Sequence, residues 1–294
     1  MLSRPELTAS LYFSVKPKRS DEPYTSISPE VAPEIIQKLI NWSREYILQY
    51  SEFQQVDFNP TGYRDGTVET CNYEYVGNMD EVIGNFDPGR IEGAEDLADK
   101  FSFYCLDIQG DNNLKLFRRV TKFKKLYVKG LLAAFEGHRL NQMDQKMLGL
   151  DGDVDLVAYK GELLVLNHTS LERIFRINEQ YTAMATRAIQ TLKASQKIDN
   201  FDQFEEDCMN DVRVQKTLTK LLREEGLFEG CFNHFENIVN AIDVFDLDIE
   251  TRTAPEEKII YENKSQLSDI LKILSDSYYK SFIREKLGVD NSRI

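Results

Sequence analysis

The chain has 294 residues, a net charge of −13, 41% hydrophobic and 29% charged residues, with 15 Gly and 8 Pro. That balance fits one large or two ordinary globular domains and excludes collagen-like, low-complexity and wholly disordered chains. The longest apolar run, Leu131 to Phe135, falls far short of the roughly 20 residues that span a bilayer.

Met1 to Glu6 lacks the apolar core of a secretory signal, so the expected location is the cytoplasm, with any membrane reached through a partner. Cys71, Cys105, Cys208 and Cys231 are widely separated and form no CxxC pair. A zinc ribbon, a redox dithiol and a disulfide framework all lack support, and reduced, partly buried thiols are expected.

Residues 17–34 carry Pro17, Pro23, Pro29 and Pro33 and read as a loop. Pro29 or Pro33 is placed to open a helix, with Ser28 as its cap. Ile35, Ile36, Leu39, Ile40, Ser43, Tyr46, Ile47 and Tyr50 follow at helical spacing and predict an amphipathic helix over 30–50. Residues 59–93 hold six glycines and two prolines and read as short strands and turns. Residues 101–108 and 114–120 are strand-like around a Gly110-Asp111-Asn112-Asn113 turn, which predicts a hairpin. Residues 126–135 fit strand or helix equally. Residues 153–159 and 162–167 flank Lys160-Gly161 as a second hairpin, apolar enough to lie centrally in a sheet. Thr169 and Glu172 fit a capping box ahead of one long helix carrying Leu171, Ile174, Phe175, Tyr181, Ala185, Ala188, Ile189 and Leu192. Helix is expected through 201–225 and 228–241, a strand pair at 244–251 and 258–262, and helices near 265–275 and 279–287. The expected class is α+β: a sheet-rich N-terminal half with one long helix, then a helix-rich C-terminal half with a small β-hairpin. The domain boundary is placed between residues 125 and 126.

The main anomaly is basic. Residues 114–130 read LKLFRRVTKFKKLYVKG, with Lys115, Arg118, Arg119, Lys122, Lys124, Lys125 and Lys129 and no acid. Cations concentrated on an acidic chain are the footprint of a phosphate-binding face; a solvated edge strand is the plainer alternative. Phe117, Phe123 and Tyr127 could stack on bases or fill a core.

Asp153 or Asp155, with Glu162 on the following hairpin, resembles the acidic part of a PD-(D/E)xK nuclease site. That chemistry needs carboxylates on Mg²⁺ and a lysine two residues after the Glu. Leu164 occupies that place, so turn carboxylates are the favoured reading, and neither catalytic residues nor metal ligands nor a cofactor are assigned. His168 reads as a polar loop residue beside a helix start. Asp199, Asp202, Glu205, Glu206, Asp207 and Asp211 form an acidic stretch, read as a solvated face or a dock for a basic partner. Neither GxxxxGK[ST] nor GxGxxG occurs.

Two segments, DVDLVAYKGELLVLNHTSLERIF and IIYENKSQLSDILKILSDSYYKSFI, resemble the KwaB-like family, the soluble subunit of the Kiwa anti-phage system. The likeness rests on Asp155, on Val165 to Asn167, and on Leu171 to Phe175, where Leu171 replaces the usual Phe. It covers roughly residues 115–290, so residues 126–294 are taken as the KwaB-like region and 1–125 as an unmatched α/β region. The resemblance implies a defence effector that binds DNA and blocks phage replication or expression; it is read as non-catalytic, and contacts from Lys and Arg to phosphates make its binding largely independent of sequence. It further implies a small multi-helix, KwaA-like membrane partner that recruits the chain to the inner membrane, and self-association, with a dimer expected. A divergent nuclease using Asp153, Asp155 and Glu162, or an acidic interaction module, are the competing readings.

Overall fold

The computed structural model describes residues 7–15, 24–62, 65–72, 82, 100–110, 114–120, 133–136, 138–142, 148–223 and 226–291. Two compact units are present: Met1–Phe58 with Tyr63–Ile177, and Asn59–Gly62 with Asn178–Ile294. The class is α+β, with strands dominating the first half and helices the second.

The first unit contains β1 (Ala9–Val15), β2 (Thr25–Ile27), α1 (Pro33–Leu48), β3 (Gln54–Asp57), β4 (Thr67–Asn72), β5 (Phe103–Ile108), β6 (Leu114–Arg119), β7 (Ala133–Glu136), β8 (Arg139–Gln142), β9 (Leu156–Tyr159), β10 (Glu162–Val165) and α2 (His168–Phe175). Among the described residues the main sheet has eight strands in the order β2-β1-β5-β6-β9-β10-β4-β3. Its pairings are antiparallel apart from the parallel β3–β4 pair; β7 and β8 form a separate hairpin. Both hairpins expected from the turn signals are present, and β9 and β10 are central. Their turn places Lys160 at φ 52° and Gly161 at φ 83°, the doubly left-handed geometry that matches strand twist, with glycine where a side chain strains most.

Alternation along β5, β6 and β9 makes a two-faced sheet. Leu106, Leu116 and Val157 join Leu39 and Ile40 of α1 in one core. On the opposite face Phe117 meets Phe103 and, edge-on, Phe175 of α2, with ring centroids 6.1 and 5.5 Å apart. The boundary expected at 125/126 falls inside this unit, between the paired strands β6 and β9. The N-cap of α1 is Ala32, with Pro33 in its first turn. Ser28, expected there, instead donates to the Leu11 carbonyl at 3.3 Å.

The single long helix expected after residue 168 is two. Asn167 caps α2 by accepting from the Ser170 N–H at 3.0 Å, so the expected Thr169–Glu172 box is not the cap. The helix stops at Arg176, which is left-handed at φ 52°. The Tyr24 hydroxyl takes the Ile174 carbonyl at 2.6 Å, satisfying an acceptor that a helix end leaves open, and the Arg176 guanidinium lies 5.3 Å from the Tyr24 ring.

The second unit follows with α3 (Ile177–Ser195), which starts at the division, then β11 (Ile198–Asp199), α4 (Phe201–Met209), α5 (Val212–Leu221), α6 (Leu227–Phe232), α7 (Phe235–Phe245), β12 (Glu250–Arg252), β13 (Lys258–Ile260), α8 (Leu267–Leu274), β14 (Tyr278–Lys280) and β15 (Leu287–Val289). Ala185, Ala188, Ile189 and Leu192 of α3, with Phe204, Leu218, Ile238, Ile259 and Ile270, build its core. The expected strand pair is shorter than predicted and gains β11, parallel to β13.

The helix expected at 279–287 is instead a hairpin, because Tyr279 faces Gly288 across the strands. A Cβ on Gly288 would lie 2.6 Å from the Tyr279 ring, so glycine is what lets the aromatic lie over the partner strand.

Candidate functional site

The pleat separates the first members of the basic segment. Arg118 and Arg119 are consecutive in β6 and leave opposite faces of the sheet. Lys115 pairs with Asp107, its direct cross-strand neighbour, at 2.6 Å, and the two side chains are only 13% and 15% exposed. The Arg119 Nε donates to the Ser170 hydroxyl at 2.8 Å, toward α2.

Arg118 is held by three aspartates. Its Nε and Nη2 meet Asp151 at 2.9 and 3.0 Å, Nη2 also reaches Asp153 at 2.9 Å, and Nη1 reaches Asp155 at 3.0 Å. Asp155 is the buried member at 2% side-chain exposure, and its second oxygen accepts the Arg119 backbone N–H at 2.8 Å. Partial burial works against the guanidinium's charge. The hydrogen bonds to Asp151 and the negative charges of Asp155, Asp151 and Asp153 outweigh it and hold Arg118 above its already high ordinary pKa. The Tyr104 hydroxyl fixes the Asp151 carbonyl at 2.9 Å. Gly152 lies so close to α1 that a Cβ there would overlap the Cβ of Trp42.

One guanidinium among three carboxylates is a net-anionic cluster. Asp153 and Asp155 do converge, on the guanidinium of Arg118. Glu162 lies at the far end of the β9–β10 hairpin. The register sets Leu156 opposite Val165 and Tyr159 opposite Glu162, which puts the Glu162 backbone about 13 Å from that of Asp155 at the ordinary strand rise. Among the described residues no group of three His, Cys, Asp or Glu side chains could hold a metal ion. Glu162 is thus not brought together with Asp153 and Asp155. Asp151 is the member that sequence reasoning missed; the Asp151-x-Asp153-x-Asp155 alternation was the available signal.

His168 opens α2 rather than lying in a loop. Its Nε2 is 3.2 Å from the buried Glu69 carboxylate of β4, and its ring stacks on Phe58 with centroids 4.8 Å apart. A cavity of about 530 Å³ lies beside them, lined by Tyr50, Phe53, Thr67, Glu69, Asn167 and His168 among others. The imidazole is thus held between the Phe58 ring and the buried carboxylate at the rim of this cavity.

The acidic stretch is divided among structural roles. Asp199 pairs with Arg252 at 3.2 Å, Asp207 accepts the Tyr261 hydroxyl at 2.7 Å, and Asp211 caps α5. Asp202, with a 96% exposed side chain, and Glu205 flank Lys193. Lys122, Lys124, Lys125 and Lys129 lie outside the described residues.

A mixed sheet carrying helices on both faces, with an arginine–aspartate cluster where its central strands meet, defines an α+β protein. Residues 98–284 match the family described as Kiwa protein KwaB-like, and the chain belongs to that family, which places it in Kiwa anti-phage defence. Neither the curated proteins nor the solved structures contain a match. No helix among the described residues is long and apolar enough to cross a membrane.

Proposed function

We propose that this chain is a non-catalytic effector of Kiwa defence that binds DNA largely without sequence preference and so blocks phage replication or expression. It acts with a small multi-helix, KwaA-like membrane protein, which recruits it from the cytoplasm to the inner membrane, and it self-associates as a dimer. The observation that supports the reading is the run of seven cations from Lys115 to Lys129 in a chain of net charge −13, inside the family-matched region. Within that run the roles divide. Arg118 and Lys115 have carboxylate partners, whereas the Arg119 Nε has a neutral one and adds its charge to the field. Phosphate contact falls chiefly to Lys122, Lys124, Lys125 and Lys129.

Each neutralised phosphate releases counterions, so log K falls with log salt by roughly 0.9 per contact. The test changes Lys122, Lys124, Lys125 and Lys129 to Glu and leaves the arginines in place, because Arg118 belongs to the fold. Affinity for unrelated duplexes is expected to drop at least tenfold, with a shallower salt slope. Undiminished binding in the folded variant overturns the assignment, and Mg²⁺-dependent cleavage of plasmid by the native chain overturns the non-catalytic reading.

A further inference from the structure

The β14–β15 hairpin carries two adjacent apolar side chains at its tip, Phe282 and Ile283, at 101% and 92% exposure; Tyr279 and Leu287 on the strands behind them are 51% and 48% exposed. This tip is built. The Ser281 N–H donates to the Lys286 carbonyl at 2.8 Å, the Glu285 N–H to the Ser281 carbonyl at 2.9 Å, and the Lys286 N–H to the Ser281 hydroxyl at 3.0 Å. Glu285 sits left-handed at φ 51°, a conformation unfavourable for a residue with a Cβ, and its carboxylate is tied to the Lys280 Nζ at 3.1 Å. Backbone strain is thus spent on a turn that presents two large apolar groups to water. Lys280, Arg284 and Lys286 surround them against the single carboxylate of Glu285, and all four are exposed.

The geometry points to direct contact between this tip and an anionic lipid surface, separate from any recruitment by a membrane partner. A convex tip offers two side chains and no groove, which suits shallow insertion among acyl chains. The neighbouring tyrosine and long cationic side chains suit the headgroup layer, where amphipathic groups keep their polar ends wet. The positive sign of the tip is what an anionic bilayer attracts in a chain whose net charge would otherwise be repelled. The inference goes beyond the DNA-binding reading and does not depend on it.

The experiment uses the full chain alone, without DNA or partner. It is co-sedimented with vesicles of 30% phosphatidylglycerol in phosphatidylcholine and with pure phosphatidylcholine vesicles. Partitioning is expected on the anionic vesicles and at least tenfold less on the neutral ones. Phe282→Ser with Ile283→Ser should cut it at least tenfold while leaving the circular dichroism spectrum and melting temperature unchanged, since both side chains are free of the core. Arg284→Glu with Lys286→Glu should do so at low salt. The proposal is overturned if the native chain does not sediment with anionic vesicles, or if the apolar double variant binds them as well as the native chain. It is equally overturned if that variant's one defect, by light scattering, is lost self-association, which would make the tip a contact between copies.

Discussion

Arg118 grips Asp151 with two parallel hydrogen bonds across 33 positions of sequence, Nε to Oδ1 at 2.9 Å and Nη2 to Oδ2 at 3.0 Å. The forked geometry is the strongest a guanidinium and a carboxylate can adopt, and it ties the 151–155 segment to the end of β6. Buried Asp155 then draws its compensation from the same guanidinium and from the Arg119 N–H.

Removing that guanidinium should destabilise the first unit. Breaking a fully buried pair costs about 3–5 kcal/mol; Arg118 is 19% exposed, so solvent screening brings the expected loss for Arg118→Gln to about 2–3 kcal/mol. Asp153, half exposed, should tolerate Asp153→Asn within about 0.5 kcal/mol. Urea unfolding of the two variants beside the native chain measures both. Equal losses would show that the cluster does not discriminate its buried from its exposed members.

Gly152 should accept no side chain. A methyl at that position meets the Trp42 Cβ and backbone, both fixed in α1, so either the helix or the aspartate loop has to move. Gly152→Ala is expected to cost about 1–3 kcal/mol, the ordinary range for overpacking. Trp42 is the chain's single tryptophan, so a shifted emission maximum in the variant reports the displacement directly.

At the start of α2, His168→Phe keeps a ring against Phe58 and deletes the Nε2 that faces Glu69. Glu69 stays buried and loses the ring nitrogen 3.2 Å from its carboxylate, which should cost about 1 kcal/mol. Glu69→Gln with native His168 should cost less, since an amide is cheaper to bury than a carboxylate. The order of the two midpoints in urea decides the point.

The cap on α5 gives a pH dependence. Asp211 accepts the Arg213 N–H at 3.0 Å, and that backbone bond, with Lys264 nearby, holds its carboxyl below the usual carboxylate range. A folded-state pKa below the unfolded one means the stabilisation is complete above the unfolded pKa and is lost as pH falls through the folded one. Asp211→Ala should therefore cost about 0.5–2 kcal/mol at pH 7. The gap from the native chain should close as pH drops below the ordinary carboxylate range. A gap that stays constant with pH would mean the charge contributes nothing.

Local signals survived the passage from sequence to structure, and long-range ones did not. Lys160-Gly161 between two apolar runs specified the β9–β10 hairpin, and the 3.6-residue spacing from Ile35 specified α1, because each pattern is read within a few residues. The break at Arg176 escaped because Leu171 to Leu192 keeps helical phase across it, and the hydroxyl that takes the freed Ile174 carbonyl belongs to Tyr24, 150 positions away. β1 and β11 went unread because each is a strand by virtue of its neighbours, β5 and β13. The basic run was legible as charge, but the pleat of β6 and the aspartates waiting on either side of it were not.

The family match begins at residue 98, whereas the eight-stranded sheet begins well before it. Its order puts β1 and β2 beyond β5 on one side, and β4 and β3 beyond β10 on the other. The first hundred residues therefore supply both selvedges of the sheet. A chain cut back to 98–284 would expose the bare backbone donors and acceptors of β5, almost wholly buried, and of β10, where Leu163 and Val165 are buried, as open edges of the kind that recruit other chains. In this chain residues 1–97 cover both of those edges.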